Sequence, residues 1–289
     1  MKNKFVFLLV LILMTLQVQA LTFQAIVLSD VIDNNPGDGN CEIPFGMNFC
    51  SLRAAIMEAN ALGGSHTIIL SGSKAIYELS ILGEESDGVA GDLNVNTADI
   101  TIIGAGPGET IINGNSNNRI FRISNDGQLN LSNLTLTGGR AATATNFSGG
   151  AISVDTAEAE VYIENVVFEN NSANAGGAIH ATFGDVHITN SLFVDNETED
   201  LGFTNLDGPA IFCNFCDLII DGSTFMRNDM GGKAIEIHSG ALLIMTNSTM
   251  TDNEGGGIRS QNGNAVIRFS TFVSDSAQNL SHFSFDGTH

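Results

Sequence analysis

Positive charge is scarce in this sequence. Of its 11 Lys and Arg, two (Lys2 and Lys4) fall in the first four residues, which leaves 11 − 2 = 9 against 32 Asp and Glu, a formal charge of −23 from residue 21 onward. Only Lys74 and Lys233 remain as lysines in that stretch. Phosphate recognition needs clustered Lys and Arg, so nucleic acid and anionic lipid are excluded as partners. An acidic surface of this kind keeps a secreted protein soluble; the sharper alternative is a divalent cation, calcium first. The histidines do not cluster, and His-x-x-x-His spacing is absent, so the pattern predicts no metal centre and no other cofactor.

Long apolar runs are missing too. The one run, Phe5 to Leu16, is twelve residues long, short of the roughly 20 that span a hydrocarbon core. Preceded by Lys2 and Lys4 and followed by Val18-Gln19-Ala20, it reads as a signal peptide over residues 1–20, cleaved after Ala20. No Cys follows Ala20, so a lipid anchor is not indicated, and no later segment predicts a membrane-spanning helix.

Helical periodicity is absent from the repeats, which excludes strand–helix–strand units. What is present is a stretch that returns: "SGGAISV" (148–154), "AGGAIHA" (175–181), "DGPAIFC" (207–213), "GGKAIEI" (231–237) and "EGGGIRS" (254–260). Each is followed, 14 to 16 residues after its Ile, by an aromatic or Met, two residues, then Asn or Asp: "FENN", "FVDN", "FMRN", "MTDN" and "FVSD". Self-similarity at this period marks a stacked-repeat architecture. Within each repeat the apolar period is two. Val161/Ile163, Val186/Ile188 and Leu218/Ile220 point one way, and Tyr162, His187 and Ile219 the other.

The expected fold is all-β: a right-handed parallel β-helix of about nine coils over 67–289, under an N-terminal strand-plus-short-helix cap over 21–66. Ile152, Ile179, Ile211, Ile235 and Ile258 should form one buried column, and Phe168, Phe193, Phe225, Met250 and Phe272 a second. Gly-Gly supplies left-handed turns. The repeated Asn is expected to take the αL corner and to hydrogen-bond from coil to coil. The Asn-x-Ser/Thr triplets are read as turn asparagines. The chain stops at "HFSFDGTH" without a recognisable cap, so an open last coil is expected.

Over 51–62 the cap reads as a helix with Ser51 as N-cap and Leu52, Ala55, Ile56 and Ala59 on its apolar face. Cys41 and Cys50 flank a loop and predict a disulfide in an exported chain. Cys213 and Cys216 are either a second bridge or two free thiols. "CSLRAAI" (50–56) resembles the Cys-Ser-Leu-Arg-Glu-Ala-Ile motif of the CSLREA-domain family of exported bacterial proteins. It matches at Cys50, Ser51, Leu52, Arg53, Ala55 and Ile56 and departs at Ala54, which loses the Glu half of a capping box. The GGAI and FxxN elements resemble the repeats of polymorphic outer-membrane proteins, surface-exposed autotransporter passengers. These resemblances imply a secreted or cell-surface protein of adhesion or interaction, with a host-cell, neighbouring-cell or glycan ligand. The rival is an extracellular polysaccharide lyase or glycoside hydrolase.

The rival needs converging carboxylates. The outward rows Ser153, His180, Phe212, Glu236, Arg259 and Asp155, Thr182, Asn214, His238, Gln261 carry no two acids on successive coils, and Glu236 beside Arg259 predicts an ion pair. The pattern therefore assigns no catalytic residues. From Phe193 to Ile211 the chain takes 18 residues, against 11, 10 and 8 after Phe168, Phe225 and Met250. The excess, 196–208, and a similar bulge at 140–148 should leave one corner and wall a groove. Its candidate binding residues are Arg140, Asn146, Asn171, Glu197, Glu199, Asp200, Phe203 and Asp207, suited to a sugar or a calcium ion.

Overall fold

Strand lies on strand in parallel register, coil after coil, in the computed structural model of this chain. The structure describes residues 19–44, 49–83, 88–141, 148–200, 207–229, 232–273 and 283–286. The expected leader up to residue 18 lies outside them, as do Asn146 and Phe203.

The GGAI elements open five strands of an eight-stranded sheet, Ile152–Val154, Ile179–Thr182, Ile211–Asn214, Ile235–His238 and Ile258–Gln261, with Leu93–Val95 and Phe121–Ile123 before them and Phe283–Asp286 after them lacking the motif. A long sheet carries the period-two strands, from Gly64–Leu70 through Glu160–Glu169 to Asn264–Arg268. Among the described residues the short sheet has eight rungs and the long sheet nine. The extra rung of the long sheet is the cap strand Thr22–Ala25, paired with Gly64–Leu70.

Both columns are in direct register. Ile152, Ile179, Ile211, Ile235 and Ile258 are Cα partners in sequence and are at most 1% exposed. Phe168, Phe193 and Phe225 stack with centroids 4.5 and 4.7 Å apart and planes nearly parallel. Met250 and Phe272 continue the column, Phe272 only partly buried on the last described coil. Burying each such side chain contributes about 1.5–3 kcal/mol. Leu136, in register with Phe168, shows that an earlier coil uses the same column without the motif.

The Gly-Gly requirement is steric. Gly149, Gly176 and Gly208 have φ of 61–65°, and a Cβ on any of them would stand 2.2 Å from the carbonyl oxygen of Ile152, Ile179 or Ile211. The second glycine is equally confined on its own coils, a Cβ on Gly150 or Gly177 standing 2.3 Å from the Gly177 or Glu197 carbonyl oxygen, while Pro209 and Lys233 take its place on the next two.

The repeated Asn divides its expected duties. Asn171, Asn196, Asn228 and Asn253 form an internal ladder, with amide-to-amide hydrogen bonds of 3.0, 2.9 and 3.0 Å. The αL corner falls instead on the residue before each: Asn170, Asp195, Arg227 and Asp252, with φ of 50–54°. The separation is physical, because an αL residue turns its neighbour's side chain inward. A second αL corner, at Asn133, Asn165, Asn190 and Asn247, does use asparagine.

The cap helix Leu52–Leu62 starts on Ser51, whose Oγ accepts from Ala54 N at 3.1 Å, and ends at Gly63. Its expected single apolar face is corrected: residues 52–59 are all buried, Arg53 and Glu58 included. Surrounding segments wrap the polar side. Gly37 N and Gly39 N donate to Glu58, and Gly88 and Gly91 carbonyls accept from Arg53.

Cys41 and Cys50 are at bonding distance, with Cα atoms 5.3 Å apart. Cys213 and Cys216 are paired likewise in the interior. Replacing Cys41 and Cys50 by serine should lower stability by about 2–3 kcal/mol, the loop-closure estimate for about ten residues. Urea unfolding of the oxidised and substituted chains measures this. Labelling of both thiols by alkylation without reduction would show that the bridge is not formed.

Candidate functional site

Both long connections leave one edge of the coil. Arg140–Ala141 and Glu197–Thr198 are the outer strands of a three-stranded sheet whose middle strand is Ser172–Ala173. Across that middle strand Arg140 reaches Glu199, Nη2 to Oε2 at 2.7 Å and Nε to Oε1 at 2.8 Å, while Ser172 Oγ donates to Glu199 Oε1. The Arg140 guanidinium holds the Glu199 carboxyl below its usual range. A half-exposed pair of this kind contributes about 0–1 kcal/mol. Glu197 and Asp200 are exposed beside it.

Two of the expected groove residues lie elsewhere. Asn171 is 0% exposed. Its side chain is committed to Gly139 N, Leu136 O and Asn196, so it belongs to the ladder and not to a groove. Asp207 turns to the outer face of the short sheet.

There Asp207 meets Glu236 and His238, with one ligand-type atom from each within 4.8 Å of the others. The expected Glu236–Arg259 pair forms, Oε2 to Nη1 at 3.5 Å, and the same Nη1 is 3.9 Å from Asp207 Oδ1. Glu236 points out from the coil yet is only 1% exposed, and Ser153 in the same row 0%. Their expectation as solvent-facing positions is corrected, because neighbouring side chains cover them: Asp207 and Arg259 meet Glu236, and Asp155 holds Ser153. Burial, and then the adjoining Glu236 carboxylate, push the Asp207 carboxyl up. A stacked row, His180 on Phe212 at 5.1 Å and Phe212 against His238 at 4.8 Å, leads to the cluster. Strand alternation could not place Asp207, since it lies in a connection. The Glu-x-His pair on one strand face was the available signal.

A second feature was visible only as an outward row. On the outer face of the long sheet, a cleft of about 390 Å³ is lined by Asn130, Ser132, Tyr162, Glu164, His187 and Thr189, among others. Tyr162 and His187, in register on successive coils, stack at 4.6 Å with planes 13° apart. Tyr162 is 40% exposed. Its hydroxyl donates to Glu160. In the same row Ile219 and Ile244 extend the apolar strip, while Ser132, Glu164, Thr189 and Asp221 form a parallel polar row.

No helix among the described residues is long and apolar enough to cross a membrane. No protein-family model, curated protein or solved structure matches the chain.

Proposed function

We propose that this chain is an exported β-helical protein of adhesion or interaction, displayed at or released from a bacterial cell surface, with a glycan as its ligand. One observation carries the ligand class: the Tyr162–His187 ring pair in an open cleft beside hydroxyl, amide and carboxylate groups. A sugar ring presents an apolar C–H face and a rim of hydroxyls. The aromatic faces suit the first, and Asn130, Ser132, Glu164 and Thr189 the second. The resemblance of 50–56 and of the repeats supports export and surface display. The acidic charge agrees with a neutral sugar better than with an anionic polymer.

Glycan-array binding by the chain without residues 1–20 tests this. Tyr162→Ala should abolish binding and, as a surface change, shift stability by no more than about 0.5 kcal/mol. If Tyr162→Ala binds normally while removal of residues 201–206 abolishes binding, the ligand sits at the Arg140–Glu199 corner instead. Thr198, 0% exposed and paired in a strand, must be kept in that deletion.

A rival reading as a polysaccharide-cleaving enzyme draws on Asp207 and Glu236 beside Arg259. Glycosidase carboxyls flank the bond about 5–9.5 Å apart. Here the oxygens lie within 4.8 Å and Glu236 is 1% exposed, a geometry that suits an anchored pair better than an acid and base reaching a substrate. Release of reducing ends from polysaccharide, lost in Glu236→Gln, would favour the enzyme.

A further inference from the structure

We propose that Asp207, Glu236 and His238 bind one first-row divalent metal ion of the zinc type on the outer face of the short sheet. The three donors come from separate places in sequence. Glu236 and His238 stand two residues apart on the strand Ile235–His238, so alternation puts both on one face. Asp207 is delivered from the preceding coil, where its backbone is fixed by a bridge to Ala175 and by its carbonyl, which accepts from Gly176 N.

The distances suit one ion. Donors 2.0–2.2 Å from zinc stand about 3.3–3.6 Å apart at tetrahedral angles. His238 Nε2 and Glu236 Oε2 are 3.4 Å apart, and no pair within the trio exceeds 4.8 Å. Glu236 is already oriented: Lys233 N donates to its Oε1 at 2.9 Å, which leaves Oε2 toward His238 and Asp207. Such an outer contact fixes a ligand's direction before the metal arrives.

Charge gives the same answer. Two carboxyls held together, one of them buried, repel unless a proton or a cation lies between them. The cation nearest to both carboxyls is Arg259, whose Nη1 stands 3.5 Å from Glu236 Oε2 and 3.9 Å from Asp207 Oδ1. A metal between the two carboxylates would take over that counter-charge role. The donor set selects the ion. Calcium takes six to eight oxygens, whereas an imidazole with two carboxylates suits zinc and its neighbours.

Isothermal titration of the tag-free chain, without residues 1–20, with ZnCl₂ tests the site. One saturable equivalent is expected. His238→Ala and Glu236→Gln should each weaken binding at least tenfold with circular dichroism unchanged. Arg259→Ala should bind as tightly or more tightly, because the competing cation is gone; His187→Ala should be unaffected. Absence of a saturable site, native affinity in His238→Ala, or loss of binding in Arg259→Ala would overturn the proposal.

Discussion

Replacing Arg53 by alanine is expected to destabilise the protein by about 3–5 kcal/mol, the usual result of stripping one partner from a buried ion pair. Arg53 and Asp30 each have side chains 1% exposed. Nε and Nη2 of Arg53 grip the two Asp30 oxygens at 2.6 and 3.1 Å. The remaining donors go to the Gly88, Gly91 and Asp92 carbonyls at 2.8, 2.7 and 3.2 Å. Asp30 in turn accepts from Ser80 N and Ile81 N. One side chain thus joins the cap helix, the segment after the cap strand and the connection between Ala75–Glu78 and Leu93–Val95 in the first coil.

Alanine leaves a buried carboxylate without its cation and three carbonyls without donors. Lysine keeps the charge but not the fork, so Arg53→Lys should recover only part of the loss. The pair Asp30→Asn with Arg53→Met should cost less than Arg53→Ala alone, because no uncompensated charge remains. In a stacked fold each coil is stabilised by its neighbours. Proteolysis and hydrogen exchange should therefore show the loss first at the cap and the strands Gly64–Leu70 and Leu93–Val95. Urea unfolding of Arg53→Ala within 1 kcal/mol of the parent chain would show that Arg53 is a passenger.

Arg53 also marks where sequence reasoning stops. Its place in "CSLRAAI" was legible, but a helical wheel sees only the helix, and Arg53 is buried by segments 35 to 39 residues away in the chain. The coil interior was legible for the opposite reason. When every strand pairs with its own repeat, local period-two alternation already states the tertiary contact, so Ile152 to Ile258 and Phe168 to Phe272 could be aligned by eye. The corner chemistry was half legible. "FxxN" announced a repeated Asn, but not that the residue before it takes the αL conformation. Asp207, expected in the corner groove, meets Glu236 and His238 instead, because a connection has no alternation to orient it. The ring pair Tyr162–His187 was recorded as an outward row, and only the cleft around it gives that row a use.

The asparagine ladder carries the other large effect. Asn196 is 0% exposed and sits between two equivalents. Its Oδ1 accepts from Asn171 N at 3.1 Å and Asn171 Nδ2 at 3.0 Å. Its Nδ2 donates to Phe168 O and Asn228 Oδ1, both at 2.9 Å. Alanine removes all four bonds and leaves their partners buried. At roughly 1–3 kcal/mol for each orphaned group, Asn196→Ala should lose on the order of 4–6 kcal/mol after partial relaxation. Asn253, with Phe225 O and Asn228 as partners and 9% exposure, should be less sensitive. Asn196→Asp separates hydrogen bonding from volume. The carboxylate still accepts from Asn171, but it faces the Phe168 carbonyl and the Asn228 amide oxygen with nothing to donate. Its pKa in the folded chain must therefore rise above the ordinary value of about 3.9. The folded state then binds more protons than the unfolded one, so stability falls as pH rises from about 4 through the raised folded value. Urea midpoints of Asn196→Asp, relative to the parent chain, should be better at pH 5 than at pH 8. A midpoint difference that is flat or reversed in pH would mean that the ladder amides are not the partners the geometry gives them.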